Sequence, residues 1–130
     1  MRSIETITSA SKDGYCLQGI VITLDSDDVI VIVGGGRDHI GAVALAIPRP
    51  SLQDQYRMSA TSSILTMLGH KDDELAKYVS KKVAAATERN IVAIAGVHYD
   101  DLAMADLLII RELWISLTEK IICFINRTKS

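Results

Sequence analysis

Aromatic side chains are scarce in this 130-residue chain, which has one Trp, one Phe and four Tyr. A core cannot rest on stacked rings here and must be built from Ile, Val, Leu and Ala. The 48% hydrophobic content supplies enough of these for one domain spanning residues 1–130. Cysteine is nearly absent too. Cys16 and Cys123 stand alone, without a Cys-x-x-Cys pair or a disulfide framework, so a reducing compartment and two buried, inert thiols are expected. Excess charge of one sign is also missing. A net charge of −2 and a pI near 5.9 offer no basis for binding nucleic acid or an anionic membrane. No apolar run approaches the roughly 20 residues that cross a bilayer. The opening Met1-Arg2-Ser3-Ile4-Glu5 lacks the apolar segment of a signal peptide. The expectation is a cytoplasmic protein.

What is present centres on Val33-Gly34-Gly35-Gly36-Arg37-Asp38-His39-Ile40-Gly41-Ala42. Three glycines run into a cation, an anion and an imidazole, and apolar runs flank them on both sides. Ile4 to Ala10 alternates well enough to read as a strand, and Lys12-Asp13-Gly14 as a turn. Tyr15 to Leu24 and Val29 to Val33 form the next hairpin, and Ile40 to Ile47 a fourth strand. Short connections predict an antiparallel meander of these four. Pro48-Arg49-Pro50 is expected to end it. A polar loop, 51–59, leads to a Ser/Thr-rich strand over Ala60–Met67. A helix should start at Asp72 or Asp73, capped by the aspartate, and end near Asn90 as a left-handed terminator. Its apolar face runs through Leu75, Val79 and Val83. Ile91 to Ala95 is apolar throughout, as suits a central strand. A last helix begins near Asp100-Asp101. It carries a core stripe through Leu107, Ile110, Trp114, Leu117 and Ile121, and beside it a second apolar line, Leu108, Ile115 and Ile122. That extra face predicts a homodimer through the C-terminal helix. The fold class expected is α+β: a mainly antiparallel sheet, a β-α-β unit and a long C-terminal helix.

Strand direction gathers the polar residues. If the fifth strand, the helix and the sixth strand make a β-α-β unit, their strands end at one edge. The start of the fourth strand lies there too. Arg37, Asp38 and His39 then meet His70, Lys71, His98 and Asp100, next to a helix start that attracts anions.

Several chemistries compete for this edge. The glycine run is not a dinucleotide fingerprint, because His39 replaces the third glycine and a strand follows where a helix is needed. It is not a P-loop, since no Gly-Lys-Ser/Thr occurs. Three histidines could ligate zinc, but no His-x-His or His-Glu-x-x-His spacing exists, and no metal is expected. A His–Asp acid–base pair is conceivable without a nucleophile elbow to serve it. Arg37, Arg49 and Lys71 with Ser/Thr hydroxyls such as Ser62 could hold a phosphate. The alternative for each is an ordinary turn, a solvated charge or a solvated histidine.

Residues 34–51 (Gly-Gly-Gly-Arg-Asp-His-Ile-Gly-Ala-Val-Ala-Leu-Ala-Ile-Pro-Arg-Pro-Ser), 59–63 (Ser-Ala-Thr-Ser-Ser), 69–77 (Gly-His-Lys-Asp-Asp-Glu-Leu-Ala-Lys) and 95–100 (Ala-Gly-Val-His-Tyr-Asp) together resemble the prenylated-flavin chaperone family. This is the small D subunit associated with gallate- and hydroxybenzoate-type decarboxylases, itself similar to proteasome assembly chaperones. The resemblance covers about residues 15 to 105. It implies an α+β, often dimeric, non-catalytic helper that binds or delivers a prenylated flavin mononucleotide, or flavin mononucleotide, to a large decarboxylase subunit. The positions it points to are Gly34, Gly35, Gly36, Arg37, Asp38, His39, Arg49, Ser62, His70, Lys71 and His98. Two other functions stay open: a small enzyme acting on a phosphorylated metabolite, and a dimeric assembly chaperone without a ligand.

Overall fold

The computed structural model describes residues 1–11, 13–67 and 72–128. Six strands and two helices follow in the order β1 (Ser3–Ala10), β2 (Cys16–Thr23), β3 (Val29–Gly36), β4 (Ala42–Pro50), β5 (Met58–Thr66), α1 (Asp72–Thr87), β6 (Ile91–His98) and α2 (Met104–Arg127). The class is α+β, as the element pattern implies. One sheet runs β1-β2-β3-β6-β4-β5. Every neighbouring pair is antiparallel except β3 with β6.

The expected four-strand meander is therefore three strands long. β6 enters between β3 and β4, parallel to one and antiparallel to the other. Its unbroken apolar run, Ile91 to Ala95, suits a strand flanked on both sides. The β3–β4 connection must then cross the end of β6 instead of turning back as a hairpin. Gly96 allows that crossing, because a Cβ there would meet the backbone of His39. The β-α-β geometry survives with one strand skipped: β5 and β6 share a direction, with β4 between them.

β4 ends at Pro50, as expected of this segment, with Pro48 two residues inside it. The hydrogen bonds Ser51 N–H to Arg57 O and Met67 N–H to Gly41 O assign the odd positions of β4 to its ladder with β5. The two prolines, at even positions, face the other side. There β6 has already stopped, its register with β4 ending at Ala46–Ile91. No partner strand lacks a donor, so the prolines cost nothing there.

Both helices pack on one face of the sheet. α1 covers β4, β5 and β6, and α2 covers β1 and β2. The buried strand positions under α1 are small (Ala42, Ala44, Ala46, Ala93, Ala95), so the helix lies close. Leu75, Val79 and Val83 fill that layer from above. From α2, Leu113, Leu117, Ile121 and Ile125 close the core against β2, where Ile121 touches Gly19. Trp114 and Phe124 only border it.

Several local expectations shift by two to four residues. Glu88, not Asn90, takes the left-handed conformation after α1 (φ 56°). Asp101 is likewise left-handed (φ 56°), and α2 begins only at Met104. There Asp106 accepts the Ala103 N–H at 3.0 Å. Cys123 is exposed on α2 and Cys16 half-buried, so neither thiol is a core residue. No helix among the described residues is long and apolar enough to cross a membrane.

Candidate functional site

The parallel pairing of β3 with β6 aligns Gly34, Gly35 and Gly36 with Gly96, Val97 and His98. The glycines are thus the last rungs of a strand. The space a side chain would need is already filled by the protein's own atoms: the Asp38 carboxylate beside Gly34, Leu17 and the Cys16 carbonyl beside Gly35, the His98 carbonyl beside Gly36. Gly36 also adopts φ 62°, which starts the turn into the crossing loop. The Arg37 N–H then donates to the His98 carbonyl at 2.9 Å and pins the loop to β6.

Asp72 organises the site from below. It opens α1 and is only 8% exposed. One carboxylate oxygen accepts the Val97 N–H at 3.1 Å, and the other accepts from His39 Nε2 at 2.9 Å. Because a carboxylate only accepts, Nε2 carries the hydrogen. The expected helix cap is thus spent on the β6 backbone and on the loop. Asp72 also fills the positive end of α1, which leaves that end less open to an outside anion than anticipated. Gly41 is required beside it, because a Cβ would collide with the carboxylate.

On the open side, His98 Nε2 donates to Asp100 at 2.8 Å, and Arg37 reaches the same carboxylate oxygen at 3.8 Å. The His39 and His98 rings stand 6.4 Å apart, edge to face. Arg37, Asp38, His39 and His98 line a shallow depression of about 250 Å³. Among the described residues no three His, Cys, Asp or Glu side chains converge as a metal would need.

Behind His98 lies a second space of about 280 Å³, lined mainly by Leu75, Val97, Leu102, Leu107, Ile110 and Trp114. The Trp114 indole N–H is buried with no hydrogen-bond partner among the described residues. Tyr99, also on this wall, is locked: its hydroxyl donates to the Cys16 carbonyl at 2.7 Å and accepts the Cys16 N–H at 3.0 Å. Sequence reasoning missed this cleft. One available signal was the second apolar line of α2, since Leu108 contributes to the wall.

The structure therefore brings together Arg37, Asp38, His39 and His98. His70 and Lys71 lie outside the described residues. Arg49 sits seven positions along β4 from its start, roughly 23 Å from this edge, where it donates to Thr61. Ser62 belongs to the helix-covered face of β5, paired with Ala46. Neither joins the depression.

The comparisons with known proteins bear on this geometry. The family model for the prenylated flavin chaperone LpdD-like domain matches residues 11–126. The chain belongs to that family. A solved structure titled "Crystal Structure of a Novel Chaperone Complex for Yeast 20S Proteasome Assembly" shares the fold with a TM-score of 0.56. It is 14% identical, and the match covers 95% of this chain and 96% of that one. A comparison with curated proteins finds no match.

Proposed function

We propose that this protein is a non-catalytic accessory chaperone that binds a prenylated flavin mononucleotide as cargo at the β3/β6 edge and serves the maturation of a decarboxylase, acting as a homodimer. Family membership supports the chaperone role. The observation that carries the ligand assignment is the position of His98, which lines both the polar depression and the apolar cleft. A ligand with an anionic end and a bulky apolar ring system matches such a divided site. Arg37 supplies the guanidinium donors for a phosphate. Held this way the flavin keeps its own reactivity; the chain contributes binding, orientation and exclusion of water from the ring.

The test is thermal protection by flavin mononucleotide and by its prenylated form. Ligand at a hundred times its Kd stabilises by about 2.7 kcal/mol, and about 4 °C of Tm accompanies each kcal/mol for a chain of this length. Arg37→Ala and His98→Ala should abolish the shift while leaving the free protein folded. No shift with any flavin, together with co-purification of a large decarboxylase subunit, supports a helper without ligand. Turnover of a phosphorylated metabolite that disappears in His39→Ala supports an enzyme.

A further inference from the structure

The two helices cover one face of the sheet, and no described residue forms a layer on the other. An antiparallel sheet facing water alternates polar residues outward. This one does not. Strand register lines up two rows on the uncovered face: Ile4–Ile22–Ile30–Val92–Leu45–Ser63 and Thr6–Ile20–Ile32–Ile94–Val43–Leu65. Ten of these twelve side chains are aliphatic and none is charged. Ile4 is 62% exposed, Leu45 44% and Leu65 78%.

We propose that this uncovered sheet face, rather than the second apolar line of α2, is the surface through which two copies of the chain pair, sheet against sheet. The proposal rests on the two-copy state put forward above and is independent of the flavin assignment. Six strands of about eight residues present roughly 600 Å² in plan at ordinary strand spacing. Side-chain relief raises the accessible area toward the ~800 Å² per partner of a stable interface. The two aliphatic rows within it form a contiguous apolar patch of a few hundred Å², the size that marks an interaction surface. Their core-like composition with no charge marks a permanent interface, not one that a client enters and leaves. The one partner always available at translation is a second copy, and an apolar face without charges complements itself across a two-fold axis. The competing surface is thinner: on α2 the well-exposed large apolar residues are Met104, in its first turn, Leu108 and Ile115, and Leu108 lines the cleft. The loop carrying Asp38 and His39 lies against Gly34 and Gly96 on this same uncovered face, so the dimer border passes beside the ligand edge.

Sedimentation of the wild-type chain at micromolar concentration should give twice 14.2 kDa. Hydroxyl-radical footprinting across a dilution series should show Ile30, Ile32 and Ile94 protected several-fold in the dimer, with Ile115 unchanged. Ile32→Glu should weaken association at least about a hundredfold, with the circular dichroism of a folded chain, whereas Ile115→Glu should leave the dimer intact. If Ile32→Glu does not fold, the wild-type footprint decides alone. A monomer throughout the series defeats the two-copy state. A dimer whose footprint spares the sheet face, or one that Ile115→Glu dissociates, defeats the surface assignment while leaving the two-copy state standing.

Discussion

Replacing Gly96 by alanine tests whether the crossing loop is the hinge of the site. The new Cβ would lie 2.5 Å from the His39 carbonyl carbon and 3.2 Å from the His39 nitrogen. Carbon contacts settle at about 3.5–4.0 Å, so loop or strand must give by about 1 Å or more. β6 is held on both sides by β3 and β4, and its Val97 N–H by Asp72. The loop is the part that moves. A retreat of that size takes His39 Nε2 from 2.9 Å to beyond hydrogen-bond reach of Asp72. Overpacking of this kind costs about 1–3 kcal/mol, or roughly 4–12 °C of Tm for a chain of this length. Calorimetry reads the stability, and the ring resonances of the histidines in a nitrogen–proton spectrum read the contact. The combined expectation is a lower Tm, a shifted His39 signal and weakened flavin protection. An alanine variant with an unchanged Tm and an unmoved His39 signal would refute the account of the loop.

Three further outcomes follow from the same geometry. Asp72→Ala leaves the Val97 N–H without its acceptor and should cost about 1–3 kcal/mol, measured by denaturant unfolding; Asp72→Asn, which keeps an acceptor, should lose less. Asp100→Asn frees Arg37 and His98 from a competing carboxylate and should tighten flavin mononucleotide binding, read by calorimetric titration. Burial, and then the Glu119 carboxylate, raises the Tyr78 phenol above 10.0, against a smaller lowering by Arg111. The folded chain therefore holds that proton longer than the unfolded one, so the contribution is intact below pH 10 and is lost as pH rises through the folded value. Unfolding between pH 9 and 12 should show stability falling, and Tyr78→Phe should flatten part of the fall.

Much of the site was legible because strand direction is a strong constraint. Once β4, β5 and β6 lie in one sheet, β5 and β6 run alike around α1, and so Arg37–His39 and His98 share an edge. The neighbour relations were not legible. A run such as Val29–Val33 looks the same in a hairpin as beside a parallel strand, and short connections favour the hairpin until Gly96 shows that the loop passes over β6. Arg49 and Ser62 illustrate the same gap. Their types suit a phosphate, but register and strand parity decide position and face, and these sent one to the far end of β4 and the other under α1. Asp72 reads as a helix cap from sequence, and only the fold reveals Val97 and His39 waiting for its oxygens.

The sequence by itself determined the element types, the aliphatic core and the glycine–Arg–Asp–His segment, because hydrophobic period and backbone freedom are local properties. It also carried, in Val29–Val33 and Ile91–Ala95, the sign that both sheet faces would be apolar. Only the tertiary structure decided that both helices lie on one of those faces. That choice depends on how the connections cross the sheet, and it leaves a second aliphatic surface that no layer of the described residues covers.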